Sequence, residues 1–586
     1  MTSRRARIAT AIALSSVSVA LTAASCTSQQ FTSNDSNLSD AGTAGSSNPP
    51  SPSAGSNGEG GSASSSNDAG APNATGSSGS TGATGEGGAS GRESHSAAGS
   101  SSAAGGSEND AGSSGASATG NEAGHGGGPA VPDCDPRWSP VEESCVIDEQ
   151  YGVFVSTLGS DTAGNGSREA PFATVARGVA SAIANSRRVY ACADEGAYAE
   201  SVSIDHADGL ELYGGFSCAD WSYDTQLKSV VASGSTRALH VSEVSGLRFE
   251  DFRFEAVDAT TPGESSIAVW VVDSSEVVFV RSAFDAGRGV SGAHGGLMPF
   301  SYPAEPALAG NVPISGATGI GAAPKRCVCQ TEELASTGGA GGPTEASSGT
   351  RGLPDYEGPG GEPGTWKEYL CIVKPNRRSG NGADGGDAPP TAPGSGATTL
   401  GIADRSGWHP TAGSNGDFGA PGQGGGGGAS LRIDANDPPG AVSRGGGGGC
   451  GGCGGNGGTA GRGGGASIAL LVLEADVALS NSELFTSDGG DGGNGHIGQE
   501  GQQSVGAGGA GLEACRGGNG GKGARGGAGG GGAGGVSVGI VWSGPDAPAR
   551  LDTTVQTGVA GVGGLGAELG VNDGIDGVAQ AMLQVM

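Results

Sequence analysis

The sequence predicts an all-β fold, a β-helix in which short strands wind into stacked coils. The main observation is one apolar spacing that recurs in three stretches anchored at Val241, Val271 and Leu471, with a fourth copy beginning at Ile204. Apolar residues at plus six, plus eight and plus thirteen are Leu247, Phe249 and Phe254, then Val277, Phe279 and Phe284, then Val477, Leu479 and Leu484. Apolar and polar residues alternate within each copy, as in strands with one buried face. Copies that recur in register are typical of a solenoid.

Composition limits how much of the chain can form an ordinary core. Of 586 residues, 122 are glycine, 35% are hydrophobic and 4% are aromatic, so apolar burial cannot extend along the whole length. The formal net charge is -30, and the 30 Lys and Arg residues form no cluster. This excludes a nucleic-acid groove, because phosphate binding needs concentrated positive charge. We interpret the acidity as favouring solubility, with divalent-cation binding as the alternative, and we expect no cofactor.

The N-terminus has the pattern of a secretion signal. Three arginines precede a charge-free run of mostly Ala, Ser and Val over residues 8–25, and this order predicts a signal peptide at residues 1–25. The run is too poor in Leu, Ile and Phe for a convincing membrane span. Its end, Ala23-Ala24-Ser25-Cys26, resembles the lipobox of bacterial lipoproteins, which implies lipidation at Cys26. The alternative is an ordinary cleavage site at which Cys26 is incidental.

The segment after the signal, residues 26–132, consists mainly of Ser, Gly, Ala, Asn and Thr. Such residues bury too little apolar surface to offset the entropy of ordering a backbone, so we expect a disordered tether. A tether suits a folded domain, residues 133–586, that is held at a distance from a lipid anchor. The sequence therefore predicts an exported protein that is lipid-anchored to the cell envelope, at the outer membrane or cell surface.

A helix is predicted near the start of the folded domain. Pro171 fits the first turn of a helix, and an apolar stripe at helical spacing follows it. The stripe consists of Phe172, Val175, Val179 and Ile183. The first coil of a solenoid otherwise exposes an unpaired sheet edge and an open core, so we expect this amphipathic helix to cap it.

The same region resembles a known family. Its motifs are Val153-Phe154-Val155-Ser156-Thr157, Glu169-Ala170-Pro171-Phe172-Ala173-Thr174-Val175, Val189-Tyr190-Ala191-Cys192 and Tyr198-Ala199-Glu200-Ser201-Val202. Their order over residues 151–221 resembles an uncharacterised family that opens right-handed parallel β-helices of the pectate-lyase-like superfamily. The resemblance implies a right-handed parallel β-helix with a cap helix, and it implies no activity, because fold does not determine function. Anchor, tether, opening motif and glycine-rich tracts together resemble the PGRS-type glycine-rich lipoproteins of bacteria.

The cysteines suggest an oxidising compartment. Without Cys26 ten remain, an even number that suits disulfides in an exported chain. We expect Cys134 to pair with Cys145, and Cys192 with Cys218. The other six, whose pairing the sequence leaves open, are Cys327, Cys329, Cys371, Cys450, Cys453 and Cys515. Cys450-Gly451-Gly452-Cys453 also has the spacing of a redox motif or a zinc-ligand pair, but neither the βαβ context nor a second well-spaced pair accompanies it.

Two long glycine-rich insertions interrupt the predicted coils, at residues 287–466 and 487–535. Both begin just after a plus-thirteen strand, so we expect them to leave the solenoid at one corner. Two interpretations stay open. The ordering cost of glycine favours mobile loops, whereas disulfides would favour packed, extended glycine helices bonded through their backbones. The run Gly489-Gly490-Asp491-Gly492-Gly493-Asn494 resembles calcium-binding glycine repeats, although it does not recur.

One group of polar residues supports an enzyme hypothesis. The plus-ten positions of the three copies are Asp251, Arg281 and Asn481, with Asp285 nearby. Neighbouring coils lie about 4.8 Å apart, so Asp251 and Arg281 are expected to touch. Acidic residues on adjacent coils can serve proton abstraction or glycosidic cleavage, which makes Asp251, Arg281 and Asp285 weak catalytic candidates. The alternative is a cross-coil ion pair on a solvated face, and we assign no catalytic residue.

The leading functional hypothesis is a non-enzymatic, lipid-anchored envelope or surface protein whose β-helix presents glycine-rich loops for adhesion or matrix contact. Its expected partners are the membrane, through the lipid, and polysaccharide or surface proteins. The alternatives are a polysaccharide-active β-helix enzyme, either a lyase or a hydrolase, and a carbohydrate-binding module without catalysis. Paired carboxylates beside sugar-stacking aromatic residues would favour the enzyme, and aromatic residues without such carboxylates the binding module.

Overall fold

The computed structural model describes residues 134–315, 320–366, 371, 380–433, 435–436 and 442–586. The predicted signal peptide, the tether and Cys26 lie outside the described residues. The described chain contains helices α1 (Val175–Asn185) and α2 (Glu305–Leu308), a 3-10 turn at Ser144–Val146, and twenty-two strands. The strands are β1 (Gly152–Val155), β2 (Arg188–Cys192), β3 (Val202–Asp205), β4 (Glu211–Phe216), β5 (Ser229–Ala232), β6 (Leu239–Ser242), β7 (Arg248–Glu250), β8 (Phe252–Glu255), β9 (Ser266–Val272), β10 (Val277–Val280), β11 (Ala283–Ala286), β12 (Lys325–Val328), β13 (Ala335–Gly338), β14 (Gly401–Asp404), β15 (Gly407–Pro410), β16 (Ser467–Leu473), β17 (Val477–Ser480), β18 (Glu483–Thr486), β19 (Ser537–Ser543), β20 (Ala549–Leu551), β21 (Thr554–Gln556) and β22 (Ala579–Val585).

Most strands belong to three parallel sheets, which we name A, B and C. Sheet A has the order β1-β2-β4-β7-β10-β17-β20, sheet B the order β5-β8-β11-β18-β21, and sheet C the order β3-β6-β9-β16-β19-β22. From β3 to β21 the chain visits C, A and B in turn five times, if the two antiparallel hairpins β12-β13 and β14-β15 are set aside. The fold is therefore all-β, with successive coils stacked as parallel strands.

Rows of apolar side chains run from coil to coil through the interior. Phe249 and Phe279 are paired residues of β7 and β10, and their rings stack with centroids 5.3 Å apart at an interplanar angle of 4°. Leu479 of β17 continues this row beside Phe279. A second row on sheet B consists of Phe254, Phe284 and Leu484. All six side chains are buried, which confirms the predicted plus-eight and plus-thirteen positions.

Sheet C is covered on its outer face as well as on its inner face. The hairpin β14-β15 places Trp408 in an outer apolar cluster with Trp270 of β9 and Leu471 of β16. Strands β9 and β16 are consequently buried at every position. Strands buried on both faces appear in a sequence as continuous apolar runs rather than as an alternation.

One predicted anchor, Leu471, is wrong, and the burial of both faces of β16 explains the error. Val271 pairs with Val472, whereas Leu471 pairs with Trp270. Val472 and Val271 lie in the inner core, and Leu471 lies in the outer cluster. The corner that leads from β16 to β17 is one residue shorter than its counterpart after β9, and a shift of one residue exchanges the two faces of a strand. The apolar run of β16 gives no sign of this shift.

Helix α1 lies against β1 and β2 and covers the start of the solenoid, as predicted. It begins later than Pro171, because the Thr174 hydroxyl caps it by accepting a hydrogen bond from the backbone N–H of Arg177 at 3.1 Å. In the predicted apolar stripe Ile183 is wrong: it is 44% exposed, and Ala182 is buried instead. The helical spacing therefore found the right face but placed its last residue one position too late.

The glycine-rich insertions all leave and rejoin the solenoid at one corner. The two predicted insertions follow β11 and β18 of sheet B and end before β16 and β19 of sheet C, as expected. A third insertion, residues 557–578, connects β21 of sheet B with β22 of sheet C in the same way. The sequence pattern missed the last coil because Arg550 occupies the position of Leu479 there.

The glycine-rich segments are ordered, and they pack side by side as extended helices. Segments 413–428 and 446–461 run antiparallel, and a backbone hydrogen bond joins them at every third residue. The pairs, N–H donor first, are Gly413 and Gly461, Gly416 and Gly458, Gly419 and Gly455, Gly422 and Gly452, Gly425 and Gly449, and Gly428 and Gly446, at 2.8–3.1 Å. Segment 518–533 bonds to both of them at the same three-residue interval. Three residues per turn is the repeat of a polyproline II helix.

We call these packed segments the glycine bundle. Its members are residues 380–397, 411–430, 444–465, 488–511, 515–536 and 557–578. The helices approach so closely that side chains cannot fit between them: an added Cβ at Gly454 would lie 1.8 Å from the carbonyl oxygen of Gly419, and one at Gly523 would lie 2.0 Å from that of Cys453. Of the two interpretations left open by the sequence, the structure has packed glycine helices.

Disulfides tie two segments of the bundle to neighbouring parts of the first insertion. Cys327 and Cys329, at the hairpin β12-β13, are joined to Cys450 and Cys453. A third bond joins Cys371 to Cys515. Because each bond closes a loop of more than a hundred residues, the cross-links remove much conformational freedom from the unfolded chain and so reduce the entropic cost of ordering glycine.

Candidate functional site

Asp251 and Arg281 form a bidentate ion pair at the corner between sheets A and B. Arg281 donates from Nε to Asp251 Oδ1 and from Nη2 to Asp251 Oδ2, each at 2.9 Å. Asp251 also accepts a hydrogen bond from the Tyr223 hydroxyl, and Glu250 accepts one from Arg281 at 2.7 Å. The exposed fractions of Asp251 and Glu250 are 0% and 1%. The two residues therefore touch, as the coil spacing predicts, but in a buried cluster rather than on a solvated face.

The charges of this cluster are balanced from within. Burial raises the pKa of Asp251, and hydrogen bonds from Arg281 and Tyr223 oppose the shift. Burial also disfavours the charge of Arg281, but Asp251, Tyr223 and Glu250 together outweigh it and raise the pKa of the guanidinium. Arg248 bonds to Glu250 as well. A general base must reach a substrate proton, whereas these carboxylates are occupied by arginine and tyrosine donors, so the arrangement suits a structural ion-pair cluster.

Backbone geometry explains why polar residues recur at the plus-ten position. Asp251, Arg281 and Asn481 have φ values of 57°, 47° and 49°, and Asp552 in the last coil has 48°. Each residue turns the chain through the left-handed region, where Asn and Asp are enriched. Their N–H groups also bond from coil to coil, from Asp251 to Val280, from Arg281 to Ser480 and from Asn481 to Leu551. The plus-ten pattern is therefore a corner ladder of the solenoid.

Asp285 lies apart from this cluster, in sheet B. Arg253 donates from Nη2 to Asp285 Oδ1 at 2.8 Å and from Nε to Glu255 at 2.8 Å. Burial raises the pKa of Asp285 to about 6, and the carboxylates of Glu255 and Glu483 add to the shift while Arg253 opposes it. The structure thus does not bring the three sequence candidates to one site, because Asp285 takes Arg253 as its partner rather than Arg281.

The cysteine sites are structural. Cys134 is bonded to Cys145, and Cys192 to Cys218, as expected from the sequence. Among the described residues the one group of side chains that could share a metal ion is Cys134, Glu143 and Cys145, and its two thiols are consumed by the disulfide. The cysteines of the CxxC motif are likewise bonded to separate partners rather than to each other, so the motif is neither a dithiol redox pair nor a zinc-ligand pair.

An unexpected ladder of carboxylate and amide groups lies on the glycine bundle. The Oδ1 atoms of Asp488, Asp491 and Asn494 accept hydrogen bonds at 2.8–2.9 Å from backbone N–H groups three residues apart in the last insertion. The donors are Val559, Val562 and Leu565, whose side chains are 71%, 60% and 50% exposed. We call these three residues the apolar ridge, and the polyproline II repeat spaces them about 9 Å apart.

A second ladder of the same kind joins two other segments of the bundle. Oδ1 atoms of Asn381, Asp384 and Asp387 accept from the N–H groups of Arg516, Asn519 and Lys522, at 2.7–3.2 Å. The signal in the sequence was an Asp or Asn at every third position between glycines. Around Asp491 it resembles a calcium repeat, but in the structure the side chains there bond to a neighbouring backbone.

Comparison of the chain with protein-family models, with curated proteins and with solved structures finds no match. Within the part of the chain that the structure describes, no helix has the length and apolar character needed to cross a bilayer. The five disulfides indicate folding in an extracellular or otherwise oxidising environment.

Proposed function

We propose that the protein is a non-enzymatic surface protein, lipid-anchored at Cys26, in which a right-handed parallel β-helix presents the glycine bundle for adhesion or matrix contact. The observation that carries the proposal is the common corner of the three insertions, which gathers them into one bundle beside the solenoid, joined by backbone hydrogen bonds and, between the first two insertions, by a disulfide. Insertions in solenoids that map to one face often form the binding face.

The handedness in this proposal follows from general chirality. Nearly all crossovers between parallel strands of one sheet are right-handed, because a right-twisted strand packs back onto the sheet most easily that way. Each coil here is such a crossover, since it leaves a sheet and returns to it as a parallel neighbour.

The contact surface that the proposal favours is the apolar ridge. Exposed apolar side chains are unfavourably hydrated, and the free energy falls when a partner covers them and removes their surface from water. The side chains of Asp488, Asp491 and Asn494 hold the backbone of the ridge in place. A rigid row loses little conformational entropy on binding, which favours contact with an ordered matrix.

The test compares two variants of the full chain. In the first, the ridge residues Val559, Val562 and Leu565 are changed to Ser; these changes leave the N–H groups of the ladder intact. The control variant changes three exposed apolar residues of the solenoid side, Val141, Leu158 and Val257, to Ser. Binding to cell-envelope material and to a polysaccharide panel should fall with the ridge variant and persist with the control. Equal binding by both variants would contradict the proposal.

A second candidate function is polysaccharide cleavage, with Asp285 as its catalytic carboxyl group: the side chain is 23% exposed beside Arg253 on sheet B, and burial raises its pKa to about 6. The same panel, assayed for new reducing or unsaturated ends, tests it. If the wild type releases such ends and Asp285→Asn does not, the protein is a polysaccharide-cleaving enzyme and the non-enzymatic proposal is wrong.

A further inference from the structure

The last coil of the solenoid ends in three open strand edges. Strands β20, β21 and β22 are the final members of sheets A, B and C, and within the described part of the chain no further strand pairs with their far sides. An edge strand leaves a row of N–H and C=O groups without a strand partner. We call the open edges of these three strands together the end layer.

The apolar interior reaches the end layer and is only partly covered there. Val555 of β21 and Met582 of β22 pack against the inner core, yet each is only partly buried. Leu551 of β20 is 63% exposed. The opposite end of the solenoid differs, because α1 contacts β1, β2 and β3 and covers the first coil. Removal of this apolar surface from water favours a cover that fits the end layer.

The end layer lacks the residues that commonly keep edge strands apart. Natural proteins protect such edges with charged side chains, especially Lys, and with Pro. Arg550 is the one charged residue of β20, β21 and β22, and none of these strands contains Pro. The chain as a whole has a net charge of -30, so its charge lies mostly away from this surface. Contact through the three strands therefore brings few like charges together.

The lengths of the three edges fit a second copy of the same layer. A two-fold axis that crosses the middle of β22 and the corner between β20 and β21 reverses every strand, so that facing strands run antiparallel. Strand β22 then meets β22 of the second copy, with seven residues on each side, and β20 meets β21, with three residues on each side. A two-fold interface requires this kind of self-complementarity.

Two further features favour a closed pair over a longer stack. The two-fold axis exchanges sheet A with sheet B, so the glycine bundles, which leave each copy between sheets B and C, emerge at different corners of the pair. Head-to-tail stacking would instead place the end layer on the first coil of another copy, which α1 covers. Because head-to-tail contacts that do not close form filaments, the cap helix limits association to two copies.

We propose that the end layer binds a second copy of this chain, tail to tail, through antiparallel pairing of the two β22 strands. This pairing supplies hydrogen-bond partners for the open edges, and the partly buried Val555 and Met582 of each copy become covered. The dimer presents two glycine bundles, so that the second contact with a repetitive surface becomes intramolecular and avidity rises. The dimer itself does not depend on what the bundle binds.

The experiment is sedimentation velocity of the full chain carrying Cys26→Ser, which prevents lipid-driven clustering. This parent protein should show a monomer–dimer equilibrium that tightens with added salt, because salt screens the repulsion between two acidic copies. Gln580→Lys combined with Ala581→Lys adds like charges to both β22 strands at exposed positions and should weaken the dimer at least about tenfold. The control, Gln150→Lys combined with Ala180→Lys, makes the same exchanges at exposed positions near the capped end and should leave the dimer unchanged.

A second measurement does not depend on the folding of a variant. Hydrogen exchange of the parent protein should show protection of β22 that rises with protein concentration, while the protection of α1 stays constant. Protection of β22 in the monomer, independent of concentration, would assign the cover to another segment of this chain and overturn the inference. Circular dichroism checks the fold of both lysine variants.

Three sedimentation results would also overturn the inference. The first is a monomer at about 100 µM protein, since interfaces of standard size bind with micromolar constants or tighter. The second is a dimer that dissociates with added salt, which would indicate ion pairs rather than strand pairing. The third is a dimer that both lysine variants weaken equally, or that neither weakens, because the contact would then lie elsewhere on the protein.

Discussion

A methyl group added at Gly454 would lie 1.8 Å from the carbonyl oxygen of Gly419, closer than any real Cβ contact. The obstacle is backbone, which cannot rotate away as a side chain can. Gly454→Ala should therefore separate two helices of the bundle and destabilise the protein by about 1–3 kcal/mol or more. Gly296→Ala is the matched control, since an added Cβ there meets nothing within 4 Å. Denaturant unfolding compares the two, and equal stability would contradict the close-packed bundle.

Phe279→Ala should be strongly destabilising. The ring is fully buried between Phe249 and Leu479, and truncation of a buried phenylalanine costs about 3–5 kcal/mol in the free energy of unfolding. Phe418→Ala removes a ring that is 50% exposed and should change stability by less than about 1 kcal/mol. A similar small effect at Phe279 would show that the interior row is not tightly packed.

The disulfides should differ in their contribution to stability. The Cys329–Cys453 bond spans 124 residues, and the Cys134–Cys145 bond spans 11. Chain entropy predicts that removal of the first, as a double serine variant, costs about 2 kcal/mol more than removal of the second. Thermal and denaturant unfolding of the two double variants measures the difference. The reverse order would mean that residual structure in the unfolded chain, rather than loop length, determines the effect.

Asp285 should make stability depend on pH. Its folded-state pKa of about 6 lies above the ordinary value of 3.8, so the folded protein binds this proton more tightly than the unfolded chain does. Ionisation of Asp285 therefore lowers the free energy of unfolding as the pH rises from about 4 to 6, by an amount on the order of 1 kcal/mol. Asp285→Asn should remove this loss, and the exposed control Asp546→Asn should retain it. An unchanged pH profile in Asp285→Asn would contradict the raised pKa.

Cys26 should be the first residue of the mature protein and carry lipid. The basis is the small-residue exit of the predicted signal followed by a long polar segment. Mass spectrometry of the mature N-terminus, with Cys26→Ser as the control, measures it. An unmodified N-terminal residue other than Cys26 would rule out the anchor.

Much of the solenoid could be predicted because its interior repeats simple chemistry. Phe249, Phe279 and Leu479 share one buried face of successive strands, where an apolar residue is favoured. The sequence could not show that Val472 rather than Leu471 faces the inner core, because an outer cluster with Trp270 makes both faces of β16 apolar. That cluster depends on Trp408 of the hairpin β14-β15, which is remote in the chain from both β9 and β16 and which no local pattern reveals.

The candidate sites were less predictable for two physical reasons. The contact of Asp251 with Arg281 followed from coil spacing, but its burial depended on Tyr223 and on Glu250, whose side chain joins the same cluster. The end layer includes β22, which follows the third insertion and lies beyond the last copy of the apolar spacing, so the sequence pattern did not place it in the solenoid. Spacing arguments find residues that neighbour one another in a repeat and miss those that an insertion brings in.

The three-residue bonding interval of the glycine bundle also constrains how such a protein can change over generations. Insertion or deletion of three residues in one segment keeps glycine at the positions that face the neighbouring carbonyl groups. Insertion or deletion of one residue instead moves side chains into positions such as that of Gly454, where no side chain fits. Changes of segment length by whole triplets are therefore compatible with the packing of the bundle. What must be conserved is the position of glycine within each three-residue repeat.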